Sequence, residues 1–285
     1  MTTAALAPDV IARLPTPKGV AMALVQACRS DDVNLQQIAE LVRTDPALSG
    51  RLLALANSAA AGGRNVVSID DAVSRTGLVT VSQIALAFSL IDQHSSGFCA
   101  NFNYAGFWSQ SILMAAASRE FGTLRKMGVG GELFTLGLLA QVGRLALATA
   151  FAQDYSELLA QDLSHAELLQ RERALAGKDR LELSVALMTE WGITPGFARP
   201  FGGHENEPET QAVGDSAHQD RSALAHAAWQ VAKALALESI DDVPANPACQ
   251  ASLGWLNLDA ETLRLHLVEI DSVWRLWLAL ISRHS

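Results

Sequence analysis

The stretch that decides the fold is Glu132–Phe151, ELFTLGLLAQVGRLALATAF. It is the longest near-continuous apolar run in the chain, and its only charged residues are Glu132 and Arg144. A helix that is apolar around its whole circumference needs neighbours on most faces. This run is therefore expected as one helix at the centre of a helical bundle.

Working outward, the chain is that of a folded globular protein. Of 285 residues, 49% are hydrophobic and 18% charged, enough apolar material for one large domain or two modest ones. Ala and Leu are abundant and β-branched runs are few, which favours helix over sheet. Cys28, Cys99 and Cys249 are far apart, so buried thiols rather than disulfides are expected. The first ten residues lack a basic stretch followed by an apolar core, and a soluble cytoplasmic protein is expected. The formal charge of −9 excludes nucleic acid as the main partner, because phosphate binding needs clustered Lys and Arg. The densest basic group, Arg171, Arg173, Lys178 and Arg180, is interleaved with Glu172, Asp179 and Glu182 and reads as a solvated helix terminus.

Helix punctuation is frequent. Asn34 with Gln37, Ser164 with Glu167, and Asp179 with Glu182 form capping boxes. Asp45-Pro46 is an N-cap followed by the favoured first-turn proline, and Ser68 with Asp71 opens another helix. Between Arg75 and Arg119 the only charged side chain is Asp92, so that segment is expected inside, as two helices around a loop at Gly97–Asn103. Gly128-Val129-Gly130-Gly131 is expected as a turn. His204–Asp220 is expected as an acidic surface loop before a helix over 222–237. No period-2 pattern of useful length appears, and the class is all-α.

The division expected is a flexible N-terminus over 1–13, an N-terminal helical part over 14–96, a second helical part over 97–240, and a helical extension over 241–285. Trp274, Trp277 and Ile281 form an apolar stripe on the extension and are candidate partner-binding residues. Asn57-Ser58, at the end of the helix begun by Asp45-Pro46, are candidate ligand contacts. They compete with a purely structural role in capping the chain where that helix turns.

Two sets of residues carry a family resemblance. One is Asp45-Pro46-Ala47-Leu48 followed by Leu52-Leu53-Ala54-Leu55-Ala56-Asn57-Ser58-Ala59, then Ile69, Ala72 and Gly77. The other is Phe107-Trp108, Gly137-Leu138-Leu139, Val142-Gly143, Tyr155 and Trp191-Gly192-Ile193. In this order they resemble the HDOD family, the HD-related output domains of bacterial signalling proteins, over roughly Leu14 to Leu237. The resemblance implies an N-terminal helical bundle packed on a part related to HD phosphohydrolases, and a regulatory rather than enzymatic role.

An HD hydrolase gathers His and Asp side chains around a metal that activates water. The resemblance places those family positions at Gln110, Ala140-Gln141, Arg180 and Trp229. Ala140 offers no ligand atom, Trp229 is an apolar plug, and Arg180 repels a cation. The amides of Gln110 and Gln141 are poor substitutes for carboxylate or imidazole. His204 and His226 remain near family histidine positions, too few for a metal site. No catalytic residue, metal or cofactor is therefore expected. The leading reading is a non-catalytic signalling protein that binds other signalling proteins, with no membrane or nucleic-acid partner and a homo-oligomer left open. The alternatives are a sensor that binds a nucleotide or other anion in the former active site, near Arg144, Arg180 and Arg199, and a residual hydrolase working through His204 and His226.

Overall fold

The computed structural model describes residues 15, 18–28, 33–57, 65–127, 130–206 and 216–282. The N-terminal segment 1–13 and Ser58 lie outside them. Among the described residues there are fifteen α-helices and no strand. The fold is all-α.

The first five helices are α1 (Val20–Ala27), α2 (Leu35–Arg43), α3 (Pro46–Ala56), α4 (Ile69–Thr76) and α5 (Leu78–Gln93). Their boundaries follow the local signals. Asn34 and Gln37 form the reciprocal cap of α2, Asp45 accepts from the Leu48 N–H at the start of α3, and Ser68 accepts from Asp71 N–H at the start of α4. These helices pack among themselves and reach the rest of the molecule through α5, which lies against α7 (Gly130–Leu139).

The molecular centre is α6 (Tyr104–Leu124), with twelve buried residues along its 21. Packed around it are α7, α13 (Ser216–Leu235) and α15 (Ala260–Ser282). Gly137 makes the α6–α7 contact possible, since a Cβ there would lie 2.7 Å from the Met114 carbonyl oxygen and 2.8 Å from Ala115 Cα.

The apolar run expected as one helix is two. After α7 the chain makes a turn at Ala140-Gln141 and resumes as α8 (Val142–Ala150). The cause is a side chain inserted into the hydrogen-bond ladder. The Gly143 N–H donates to Ser184 Oγ at 2.9 Å, and the Arg144 N–H donates to Gln141 O, three residues back. Ser184 lies on α11 (Arg180–Glu190), whose backbone approaches so closely that a Cβ on Gly143 would run into the Arg180 carbonyl oxygen. The run Glu132–Ala150 is long and apolar enough to cross a membrane, and 89% of its apolar window is buried within the protein.

Three further expectations change. His204 is 1% exposed rather than on a surface loop, and α13 starts at Ser216, six residues before the expected 222. Gly130 is already helical, so only Gly128 and Val129 of the expected turn remain, and these lie outside the described residues. The stripe on α15 is not a free surface. Trp277 is 2% exposed, stacked on Phe88 with ring centroids 4.7 Å apart and against Phe134 at 4.6 Å. Trp274 is half-buried and donates to Ser109 Oγ at 3.1 Å, and Ile281 is half-buried against the core. The extension uses these residues to hold itself to the body, which removes Trp277 as a docking residue.

Candidate functional site

The break at Ala140-Gln141 faces a cluster of polar side chains, most of them buried. Two helices and one turn supply its centre. Ser164 and Glu167 cap α10 (His165–Ala176), which carries Glu172; Asp179 and Glu182 cap α11, which begins with Arg180; and the turn after α12 (Pro195–Gly202) carries His204 and Glu205. Glu172 is fully buried and Arg180 is 7% exposed. This corrects the reading of that basic and acidic group as a solvated terminus. Glu172 turns inward and pairs with Arg180, and outside them Arg173 pairs with Asp179 and Glu182.

Arg180 is held from two sides. Its Nη1 donates to Glu172 Oε1 at 2.9 Å, and its Nε and Nη2 grip Glu205 at 3.0 and 2.8 Å. Glu172 also accepts from the Arg180 backbone N–H at 3.0 Å and from the Tyr155 hydroxyl at 3.1 Å. Burial opposes the charge on Arg180, but Glu205 and Glu172 outweigh it and raise its pKa. Burial likewise opposes the Glu205 charge, and the hydrogen bonds from Arg180 overcome it and lower the Glu205 pKa. Burial, joined by the Glu172 charge, raises the pKa of Tyr155 and keeps its phenol protonated.

Next to this pair sit the residues of the break. Arg144 Nη1 donates to Gln141 Oε1 at 2.8 Å and reaches Gln110 Oε1 at 3.4 Å. His204 Nδ1 lies 2.8 Å from the Phe201 carbonyl, which can only accept, so the proton sits on Nδ1 and Nε2 carries a lone pair. Burial, with Arg144 and Arg180 nearby, pushes the His204 pKa down to about 4. His226 Nδ1 lies 3.0 Å from the His204 carbonyl, tying α13 to the same turn. Trp229 covers both imidazoles, edge-on to His204 with centroids 5.6 Å apart, and Lys233 Nζ lies 4.1 Å from the centre of its ring.

The cluster is charge-balanced without a metal. Two guanidinium groups face two carboxylates, and His204 is neutral. A divalent ion would add two uncompensated charges to a closed site, at a high desolvation cost. Ala140 offers no donor atom, and Trp229 presents a ring rather than a ligand atom. The residues do not fit a hydrolase metal. Among the described residues, no group of three or more His, Cys, Asp or Glu side chains is arranged to hold one.

This arrangement sits in a chain whose residues 14–207 match the HDOD domain. The chain belongs to the HDOD family. A solved relative, the MmoQ response regulator of Methylococcus capsulatus str. Bath, is 33% identical over 90% of this chain and 99% of its own, with a TM-score of 0.57. An HDOD domain protein from Geobacter sulfurreducens, 20% identical, covers 95% of this chain and 92% of its own with a TM-score of 0.64. A candidate phosphohydrolase from Shewanella amazonensis SB2B, 21% identical, covers 98% of both chains with a TM-score of 0.71, a likeness of fold. No curated protein matches the chain.

Within this HDOD fold, Gln110, Gln141, Arg144, Arg180, His204, His226 and Trp229 gather around one site. Asn57 does something else. Its side chain donates to the Val66 carbonyl at 2.7 Å and accepts from the Val66 N–H at 2.6 Å, clasping the ends of the segment between them. Arg199 is exposed on α12. Sequence reasoning missed Glu172, Glu205 and His165, although Arg180 Nη2 lies 3.1 Å from His165 Nδ1. The available signal was Arg180 itself, a cation at a position where the resemblance puts a metal ligand, which requires internal carboxylates.

Proposed function

We propose that this protein is a non-catalytic regulator of a signalling pathway, acting in the cytoplasm by binding other proteins. The observation that carries this reading is the Arg180 guanidinium clamped between Glu172 and Glu205. The family resemblance puts one of a hydrolase's metal-ligand positions at Arg180, and there the chain itself holds a permanent cation. The resemblance puts two further ligand positions at Ala140 and Trp229, whose side chains carry no atom to bind a metal that would polarise water. The similarity to a response regulator supports a signalling role.

The alternative of a nucleotide held in the former active site is disfavoured by closure. Glu172, Gln141, His204 and Arg180 are all under a tenth exposed, and both arginines are already engaged.

Metal analysis of the purified protein, with hydrolysis assays on cyclic dinucleotides and a chromogenic phosphate ester in Mn²⁺ or Mg²⁺, tests the reading. The expected result is no stoichiometric metal and no metal-dependent turnover. Turnover abolished in His204→Ala would overturn it.

A further inference from the structure

A second cavity of about 270 Å³ shares no lining residue with the Arg180 cluster. It opens between α1 and α5 on one side and α7, α12 and the turn at Trp191-Gly192-Ile193 on the other. Gly192 takes φ of 89°, which sets this turn and presents Trp191 and Ile193 to the space. Two family-motif residues whose purpose the Arg180 site leaves unexplained therefore line a cavity.

Its chemistry is one-sided. Among the described lining residues Glu132 is the only charged group. Gln83 also lines it, and the Gln83 Oε1 acceptor is buried without a hydrogen-bond partner. The other walls are largely apolar and aromatic, with Leu136, Trp191 and Phe197 among them, and Cys28, Ser82 and Thr194 add a thiol and two hydroxyls. Arg221 stacks on the Phe197 ring, 4.2 Å from its centre, and is not itself a lining residue. An anion entering here would meet the Glu132 carboxylate. A protonated amine would pair with that carboxylate, and aromatic faces attract cations.

We propose that this cavity binds a small organic amine, with an apolar body the size of a substituted aromatic ring and one protonated nitrogen. The nitrogen pairs with Glu132, and the body lies against Trp191, Phe197 and Leu136. Because the lining comes from both groups of helices, a bound amine ties them together and stabilises the folded chain by mass action. This goes beyond the regulatory reading and does not depend on it. It concerns an input to the protein, whatever the Arg180 site does.

Calorimetric titration of the full chain with phenethylamine, phenylpropionate and phenethyl alcohol tests the proposal. The amine is expected to bind, the alcohol at least about tenfold more weakly, and the carboxylate not at all. Glu132→Gln is expected to weaken amine binding by at least about tenfold, equivalent to about 1.4 kcal/mol. Ile193→Trp, which fills the cavity, is expected to abolish it while circular dichroism stays that of the parent. Phenylpropionate binding as well as phenethylamine, unchanged affinity in Glu132→Gln, or no binding by any of the three would each overturn it.

Discussion

Arg180 and Arg51 are both buried guanidinium groups, yet their counterions sit in different media. Arg180 is clamped between Glu172 and Glu205, whose side chains are 0% and 6% exposed, so the whole pair is enclosed. Arg51 on α3 is 2% exposed, stacks on the Phe88 ring 4.4 Å away, and forms two bonds of 2.7 and 2.8 Å to Asp92, whose side chain is 48% exposed. At the first site the counter-charge is internal and fixed. At the second, a surface carboxylate reaches in to neutralise a buried cation. The Arg180 region holds a closed charge cluster whose members depend on one another, while Arg51 among the N-terminal helices uses a single pinned contact.

Arg180→Met should therefore have the largest effect in the molecule. It leaves Glu172 and Glu205 buried without their cation, and removing one member of a buried ion pair costs about 3–5 kcal/mol. Urea denaturation would read this as a lower midpoint. Replacing Arg180, Glu172 and Glu205 together by apolar residues should recover much of the loss, because no unpaired charge then remains. If the single and triple variants are equally unstable, the cluster is not a coupled unit.

The next effect is a pH dependence to which the Arg180 side contributes through His204. His204 has a pKa of about 4 in the folded protein against 6.5 for a free imidazole. The unfolded chain thus takes up a proton between these values while the folded one does not, so stability falls as pH drops from 6.5 towards 4. That shift corresponds to about 3 kcal/mol. Burial and the nearby Lys18 lower the His94 pKa as well, so comparison with His204→Gln isolates the His204 share. The variant should show a distinctly flatter loss over that window. Glu205, whose folded pKa is depressed, contributes stability above the normal carboxylate range and loses it only at lower pH. A parallel pH curve for His204→Gln would place the titration elsewhere.

Much of this was legible beforehand. Caps at Asn34, Asp45, Ser68, Ser164 and Asp179 each depend on one side chain and the adjacent backbone, so the helix starts could be read locally. That Ala140 and Trp229 carry no metal-binding atom was legible for the same reason, since it needs no geometry. The break in Glu132–Phe151 was not, because it depends on Ser184, 41 residues from Gly143, taking its N–H. Nor was the inward turn of Glu172. Its neighbours in sequence alternate charge as a solvated helix does, and only the approach of α11 distinguishes the one buried carboxylate. Asp92 was noticed as the lone charge in its segment, but its partner Arg51 lies on another helix.

Within the Arg51 pair the two halves should not be equivalent. Arg51→Met returns Asp92 to water and loses mainly packing on Phe88, about 1–2 kcal/mol. Asp92→Asn instead leaves a buried guanidinium without its charge partner, and should cost more, about 2–3 kcal/mol. The reverse order, measured by the same denaturation, would mean that Asp92 is not what holds the buried cation, and the contrast with Arg180 would lose its basis.

The smallest effect separates the cover of the Arg180 site from its interior. Lys233 lies over the outer side of the site, on the Trp229 ring, and exposed or partly exposed contacts of this kind contribute about 0.5–1 kcal/mol. Lys233→Met keeps the length and apolar stem while removing the charge, so it should lower stability by no more than that. It should also leave the His204 pH dependence unchanged, because Lys233 is absent from the causes that depress His204: burial, Arg144 and Arg180. Trp229→Ala differs, since it uncovers both imidazoles and admits water, and the His204 pKa should then rise back towards 6.5. A Lys233→Met variant that also shifted the pH curve would mean that the cover and the charge cluster respond as one unit.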